Sequence, residues 1–408
     1  MIQKQHPSQL EFIALMASLM SIVALAIDAL LPALDLIGFE IGITNNANTQ
    51  LLITMIFLGL GIGPLIFGPV SDSLGRKPIV FIGFFVFLIG SIICVNAHTL
   101  AVMIAGRILQ GIGLSAPRTI SIAMVRDLYR GDYMARIMSF ITVVFLLVPI
   151  IAPAFGKFIL DLYHWQAIFY VQLIFSILVG LWFWKRQPET LKEEYRTPLS
   201  FSLFTRGTSE LLKYPRTLGF TLISGFITGS FLVYLSASQH IFEAQYGMKE
   251  EFPYIFAGLA ISVGLATFMN GKLVVKLGME RLVSAALVAY FLCSAIYLVL
   301  FFGSPNPPIS ILLGFFALQF FAVGFLFGNL RALAMEPVGH IAGIAAAITG
   351  LISTLMAVPI STFIGRFVSG TRVYPLFVGF TLCSLFSILI LLYLKRKQLS
   401  LYRLRFKR

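Results

Sequence analysis

At 408 residues, with 58% hydrophobic and only 12% charged side chains, the chain lacks the polar surface of a water-soluble fold, in which about a quarter of residues are charged. A net charge of +13 would suit a nucleic-acid binder, but the Lys and Arg residues stand in short clusters between long apolar runs, which excludes that reading. The three cysteines, Cys94, Cys293 and Cys383, lie apart inside apolar runs and the five histidines are scattered, so neither a disulfide scaffold nor a metal site is expected.

A helix needs about 20 mostly apolar residues to cross a bilayer. Runs of that kind fall near 11–34, 49–68, 79–96, 100–125, 137–158, 165–184, 217–239, 254–276, 283–302, 310–333, 342–365 and 374–394. The first is too long for a signal-peptide core and reads as a retained helix. These runs predict an all-α membrane protein with twelve spans. The longest polar stretch, near 185–216, separates two groups of six, giving an N-terminal bundle at 1–186, a linker at 187–216 and a C-terminal bundle with a basic tail at 217–408.

Positive residues stay on the cytoplasmic side of a membrane. With the N-terminus inside, only Lys157, Lys249, Arg366 and Arg372 fall in outer segments and only Arg107 and Arg118 fall within a span. The other Lys and Arg residues, from Lys4 to the cluster at 395–408, are then cytoplasmic, which places both termini inside. The two halves echo one another. Gly68-Pro-Val-Ser-Asp72-Ser-Leu-Gly75 is answered by Gly271-Lys-Leu-Val-Val275-Lys-Leu-Gly278, and 113–124 by 324–335. Two parallel six-span repeats are a known transporter architecture.

Several segments carry readable chemistry. In Gly68-Pro-Val-Ser-Asp72-Ser-Leu-Gly75-Arg76-Lys77, two glycines allow a tight turn, Asp72 is an acceptor for an Arg or a helix N-terminus, and Arg76 can reach a carboxylate such as Asp127 at the end of span 4. Span 4 opens Gly106-Arg107-Ile-Leu-Gln110-Gly111, and span 5 holds Pro149, Pro153 and Gly156. The glycine runs near 59–63 and 111–113 lie inside spans, lack the Lys of a nucleotide loop, and read as close-packing positions.

These segments resemble the signatures of the major facilitator superfamily: the 68–77 loop its conformational latch, Arg107 the basic residue of its fourth span, and Pro149, Pro153 and Gly156 the motif of its antiporters. Ala152 and Lys157 depart from that last pattern by standing where it has glycines. Asp28-Ala-Leu-Leu-Pro32, Arg126-Asp127-Leu-Tyr, Pro188-Glu189-Thr190-Leu191, Tyr234-Leu-Ser-Ala-Ser238 and Asn270-Gly271 narrow the resemblance to the Bcr/CflA-like drug-resistance transporters, drug:proton antiporters with twelve spans. His164-Trp165-Gln166 departs from the Trp-Arg usual in that group.

The resemblance implies a major facilitator fold, alternating access and proton-coupled export of a small molecule, with no enzyme activity and no cofactor beyond the proton gradient. The implied latch is Gly68, Asp72, Gly75, Arg76, Lys77 and Asp127.

An ionisable residue inside a span costs about 2.5–3.5 kcal/mol on insertion scales and marks a functional site by default. Asp28 and Arg107 are each expected about 10 Å below the outer surface, counting 1.5 Å per residue, and so can meet if spans 1 and 4 adjoin. Desolvation favours the neutral carboxyl and a neighbouring guanidinium favours the carboxylate, so the pair is the candidate for proton coupling.

Arg118 lies three turns beyond Arg107 on the same face, which suggests an anionic or zwitterionic substrate such as a metabolite or siderophore. Gln110, Phe231, Tyr234, Ser238 and Asn270 complete the candidate substrate cavity. The expected partners are that substrate, protons and the lipid bilayer, with no nucleic acid and a monomeric state, in a bacterial inner membrane. Uptake of a small organic anion by the same fold, and a non-transporting membrane sensor, are the competing functions.

Overall fold

The computed structural model describes residues 7–43, 48–196, 202–368 and 371–405. Lys4, the linker positions 197–201 and the last three residues of the basic tail lie outside that set. The described residues contain twelve helical segments long and apolar enough to span a membrane, and they overlap the twelve runs expected from the sequence.

The first span, Gln9–Glu40, is composite. Helix α1 (Gln9–Asp28) starts on Ser8, whose hydroxyl accepts from the Glu11 amide at 3.2 Å. It ends at Asp28 because Pro32 has no N–H to return to the carbonyl four residues back. A 3₁₀ turn, Leu31–Ala33, and the short helix α2 (Leu34–Glu40) follow. The next spans are α3 (Leu51–Leu74), α4 (Arg76–Val95), α5 (Leu100–Leu128), α6 (Gly131–Leu162) and α7 (Gln166–Arg186). Within the polar linker, α8 (Ser202–Leu212) is an element the sequence reading passed over. Then come α9 (Pro215–Gln239), α10 (Phe252–Leu277), α11 (Met279–Phe301), α12 (Ile309–Met335), α13 (Ala342–Val368) and α14 (Tyr374–Arg405).

The chain divides into two compact units. One comprises Met1–Ser200 with Lys249–Ala257, the other Phe201–Met248 with Gly258–Arg408. In the first unit, α5 is the central helix, packed by missing side chains. A Cβ on Gly59 would stand 2.2 Å from the Ile108 carbonyl oxygen, and one on Gly113 would stand 2.4 Å from the Phe87 amide. In lipid, which supplies no hydrophobic drive between helices, such backbone approach provides the packing.

In the second unit, Phe220, Ile223 and Ile227 of α9 join Leu282, Val283 and Leu287 of α11 and Leu326 and Leu330 of α12 in one buried apolar cluster. Tyr297 of α11 stacks on Phe377 of α14 at 3.6 Å between centroids.

Candidate functional site

The break at the end of α1 positions the candidate site. The last turn of a helix leaves carbonyls without intrahelical partners and carries partial negative charge. Two side chains from other helices meet carbonyls of this turn, of which Leu25 also accepts from the Ala29 amide at 3.2 Å. Arg107 of α5 donates from Nη1 to the Ala26 carbonyl at 3.1 Å, and Gln172 of α7 donates from Nε2 to the Leu25 carbonyl at 3.4 Å. Arg107 also donates from Nε to the Leu52 carbonyl of α3 at 2.6 Å and from Nη1 to Gln110 Oε1 at 2.8 Å. Its side chain therefore ties α1, α3 and α5 together, and it is fully buried.

Asp28, the last residue of α1, is 5% exposed. The ion pair anticipated with Arg107 is not formed: the guanidinium donates from Nε and Nη1 to backbone carbonyls and to Gln110 instead. Among the described residues nothing donates a hydrogen bond to the Asp28 carboxyl. Arg107 Nη2 and Gln172 Oε1 are buried without hydrogen-bond partners. Two unsatisfied polar atoms thus belong to side chains bonded to the end of α1. Burying such groups costs several kcal/mol unless a partner arrives, and a buried polar site of this kind is where water or a proton gains most. Gln172 was missed from the sequence, where its only signal is an uncharged polar residue inside an apolar span.

The antiporter-like motif lies against the same break. Pro149 and Pro153 are inside α6, and the missing Cβ of Gly156 would sit 1.9 Å from the Ala29 carbonyl oxygen. Only glycine lets α6 come this close to the residue after Asp28. The next residue, Lys157, pairs with Asp161 at 3.1 Å and with Glu250 at 3.0 Å.

The 68–77 loop closes the opposite end of this unit. Gly75, at φ +106°, breaks the chain between α3 and α4, a conformation that L side chains rarely adopt. Arg76 is buried and donates from Nε to Asp127 Oδ2 at 2.9 Å and from Nη1 to Ser71 Oγ at 2.8 Å and to Asp72. Glu189, carried after α7, accepts from the Arg76 and Lys77 amides, both at 2.9 Å, and so caps the N-terminus of α4. Lys77 returns the favour by donating from Nζ to the carbonyls of Trp184 and Gln187 at the C-terminal end of α7, both at 2.7 Å. Each helix end is met by the charge its dipole favours. Thr190 adds a bond to Asp127 at 3.1 Å. The latch residues expected from the sequence come together, and Glu189 and Thr190 join them. Gly68 contributes its carbonyl, which accepts from the Ser71 hydroxyl at 2.7 Å.

The expected substrate residues divide differently. Gln110 does not line a cavity: it is fully buried, and its amide is spent between Arg107 and the Ser91 hydroxyl at 2.7 Å. Tyr234 and Ser238 are also buried. The Tyr234 ring packs on Phe316 and Phe320 at 5.2 and 4.4 Å, and the Ser238 hydroxyl returns to the Leu235 carbonyl at 3.0 Å. Phe231 packs edge-on against Phe320 and Phe327, both at 5.5 Å. In this structure the shared face of these three residues is a packing face. Asn270 exchanges amide hydrogen bonds with Asn329 of α12, the shorter at 2.7 Å. Arg118 is half-buried on α5.

Residues 16–360 match the model of the Major Facilitator Superfamily. The bicyclomycin resistance protein homolog of Haemophilus influenzae is 28% identical over 413 aligned positions that cover 97% of this chain and 99% of that protein. Multidrug resistance protein MdtL of Klebsiella pneumoniae is 25% identical across 80% of this chain and 81% of its own length. A solved D-xylose-proton symporter has the same fold, with a TM-score of 0.70 at 15% identity over 92% of this chain and 97% of that one. With twelve spans, an all-helical fold and relatives of this kind, the chain belongs to the major facilitator superfamily and is a multi-pass secondary transporter related to its drug-resistance members, not an enzyme.

Proposed function

We propose that the protein exports a small molecule across a bacterial inner membrane in exchange for protons, by alternating access of its two halves, as a monomer with both termini in the cytoplasm. It uses no cofactor; the proton gradient is the energy source. The observation that carries this reading is the buried Asp28 carboxyl, to which no described residue donates a hydrogen bond, where α1 breaks against α6. A carboxyl that is cut off from water holds its proton, and it releases that proton when a conformational change wets it or brings a donor to it. Arg107, anchored to the Ala26 carbonyl two residues before Asp28, is the cation whose movement toward the carboxyl would favour release. The drug-resistance relatives and the proline and glycine pattern of α6 support export over uptake.

The test is Asp28→Asn in everted vesicles, with a panel of organic acids, siderophores and antibiotics as substrates. The wild type should accumulate its substrate when the lumen is acidified. The variant should lose that response and keep substrate-for-substrate exchange at equal pH. Accumulation by D28N that still follows the pH gradient removes Asp28 as the coupling site.

A half-buried cation on α5 in register with Arg107 favours a further reading, that the substrate is anionic or zwitterionic and meets Arg118. Replacing Arg118 with Gln should then abolish transport of acidic substrates while sparing cationic ones. An equal effect on both classes removes this role.

A further inference from the structure

The middle of the second unit holds a polar junction that the transport reading does not use. Ser230 of α9, Tyr290 of α11 and Gln319 of α12 lie near the middle of their helices, and all three are 0% exposed. Their surroundings are apolar. The Phe380 ring stands 5.6 Å from the Tyr290 ring. Ile227, Leu287 and Val323, one turn away on the same three helices, are fully buried.

The hydrogen bonds of the junction can be followed donor by donor. The Ser230 hydroxyl donates to the Ile227 carbonyl at 2.9 Å. Its single proton is then spent, so in the 3.0 Å contact between the two hydroxyls Tyr290 is the donor and Ser230 Oγ the acceptor. The phenol oxygen keeps its lone pairs. The Gln319 amide stands beside that oxygen, yet neither Nε2 nor Oε1 has a hydrogen-bond partner among the described residues. An amide brings two N–H donors and an acceptor oxygen, and leaving both ends unmade is costly inside a span, where no bulk water reaches.

The first unit shows what such an amide does when it is satisfied. Gln110 of α5, equally buried, accepts from Arg107 and donates to Ser91. Among the described residues, no side chain plays the part of Arg107 toward Gln319. We propose that ordered water completes the junction. One molecule accepts from Gln319 Nε2 and donates to the Tyr290 oxygen, and a second donates to Gln319 Oε1. Buried waters are held in this way, by polar groups that the protein leaves otherwise unsatisfied. All three side chains are closed off from the surface, which favours a molecule the size of water over a larger ligand. Water therefore does for α9, α11 and α12 what the Arg107 guanidinium does for α1, α3 and α5.

Radiolytic hydroxyl-radical footprinting of the full-length protein in detergent, without added substrate, tests this. Radicals from bulk solvent oxidise exposed side chains, whereas radicals born on a bound water oxidise the side chains that touch it. Tyr290 should be oxidised about tenfold faster than Tyr297, which is 1% exposed and stacked on Phe377. Gln319→Met keeps the length of the side chain and removes both polar ends. In that variant, oxidation of Tyr290 should fall to the level of Tyr297. Q319M should also melt at a lower temperature than the wild type, because it takes hydrogen bonds away from the waters. An amide that made no bonds would be replaced by an apolar group of similar shape at no loss, and the variant would melt at the same temperature or higher. Equal protection of Tyr290 and Tyr297 in the wild type overturns the proposal. So does a Q319M that melts no lower, or one that oxidises Tyr290 at the wild-type rate. If Q319M does not fold, the comparison of the two tyrosines in the wild type decides alone. None of these readouts depends on transport.

Discussion

Arg107 shows how a buried cation can be held without a carboxylate. Its donors reach the carbonyls of Ala26 and Leu52 and the side chain of Gln110, and Gln110 in turn is anchored on Ser91, whose hydroxyl donates to the Phe87 carbonyl at 2.8 Å. The guanidinium has one donor group, Nη2, still unsatisfied. Removing Gln110 would orphan part of a second and strand Ser91. Leaving a buried donor unmade costs about 1–3 kcal/mol, more when it is charged. Gln110→Ala should therefore lower the melting temperature in detergent clearly, and more than Ser91→Ala, which strips only a neutral partner from the Gln110 amide. A cavity-lining Gln110 would behave in the opposite way, shifting substrate affinity with an unchanged melting curve, and that result would overturn the bracing role.

At the scale of the helices, the decisive contact is between α6 and the end of α1. A Cβ at position 156 collides with backbone, the Ala29 carbonyl oxygen, which no rotamer change can move aside. Gly264 on α10 has nothing within 4 Å of its Cβ position and serves as the control. Overpacking of this kind costs about 1–3 kcal/mol. Gly156→Ala should depress both transport rate and melting temperature, whereas Gly264→Ala should leave both near the wild type. Equal behaviour of the two would mean that α6 does not need its close approach beside Asp28.

The helices themselves were legible in the sequence, because apolar run length and the turn glycines are local signals. The partnership of Arg76 with Asp127 was legible as well, since both lie on signature segments. What α4 needed at its N-terminus was not. Its cap comes from Glu189, 113 residues away in sequence, and no spacing rule reaches across that distance. The same holds for Asn270 with Asn329, which the sequence offered as two unrelated amides. Placing Asp28 beside Arg107 rested on depth counting alone. Counting residues fixes a level in the membrane, but it does not say whether a guanidinium will choose a carboxylate or the carbonyls that a proline-terminated helix exposes.

For the molecule as a whole, the orientation follows from the distribution of cations, and it can be read directly because the chain supplies its own blank. Cys94, Cys293 and Cys383 are all buried and unpaired, at 0%, 9% and 4% exposure. Burial denies a maleimide access to these thiols, so the wild type should take up almost no membrane-impermeant reagent. New cysteines then report sidedness one at a time. His98 lies between α4 and α5, Ser304 between α11 and α12, and Arg130 between α5 and α6, and all three are exposed. Placing the basic clusters inside puts His98 and Ser304 outside and Arg130 in the cytoplasm. In intact cells, His98→Cys and Ser304→Cys should therefore label at once, and Arg130→Cys should label only after permeabilisation. Because His98 and Ser304 occupy corresponding connections of the two halves, their agreement also checks that the halves insert in parallel. Labelling of Arg130→Cys in intact cells would invert the orientation and, with it, the direction in which an inward proton gradient drives the substrate. Opposite results at 98 and 304 would instead break the parallel arrangement of the repeats.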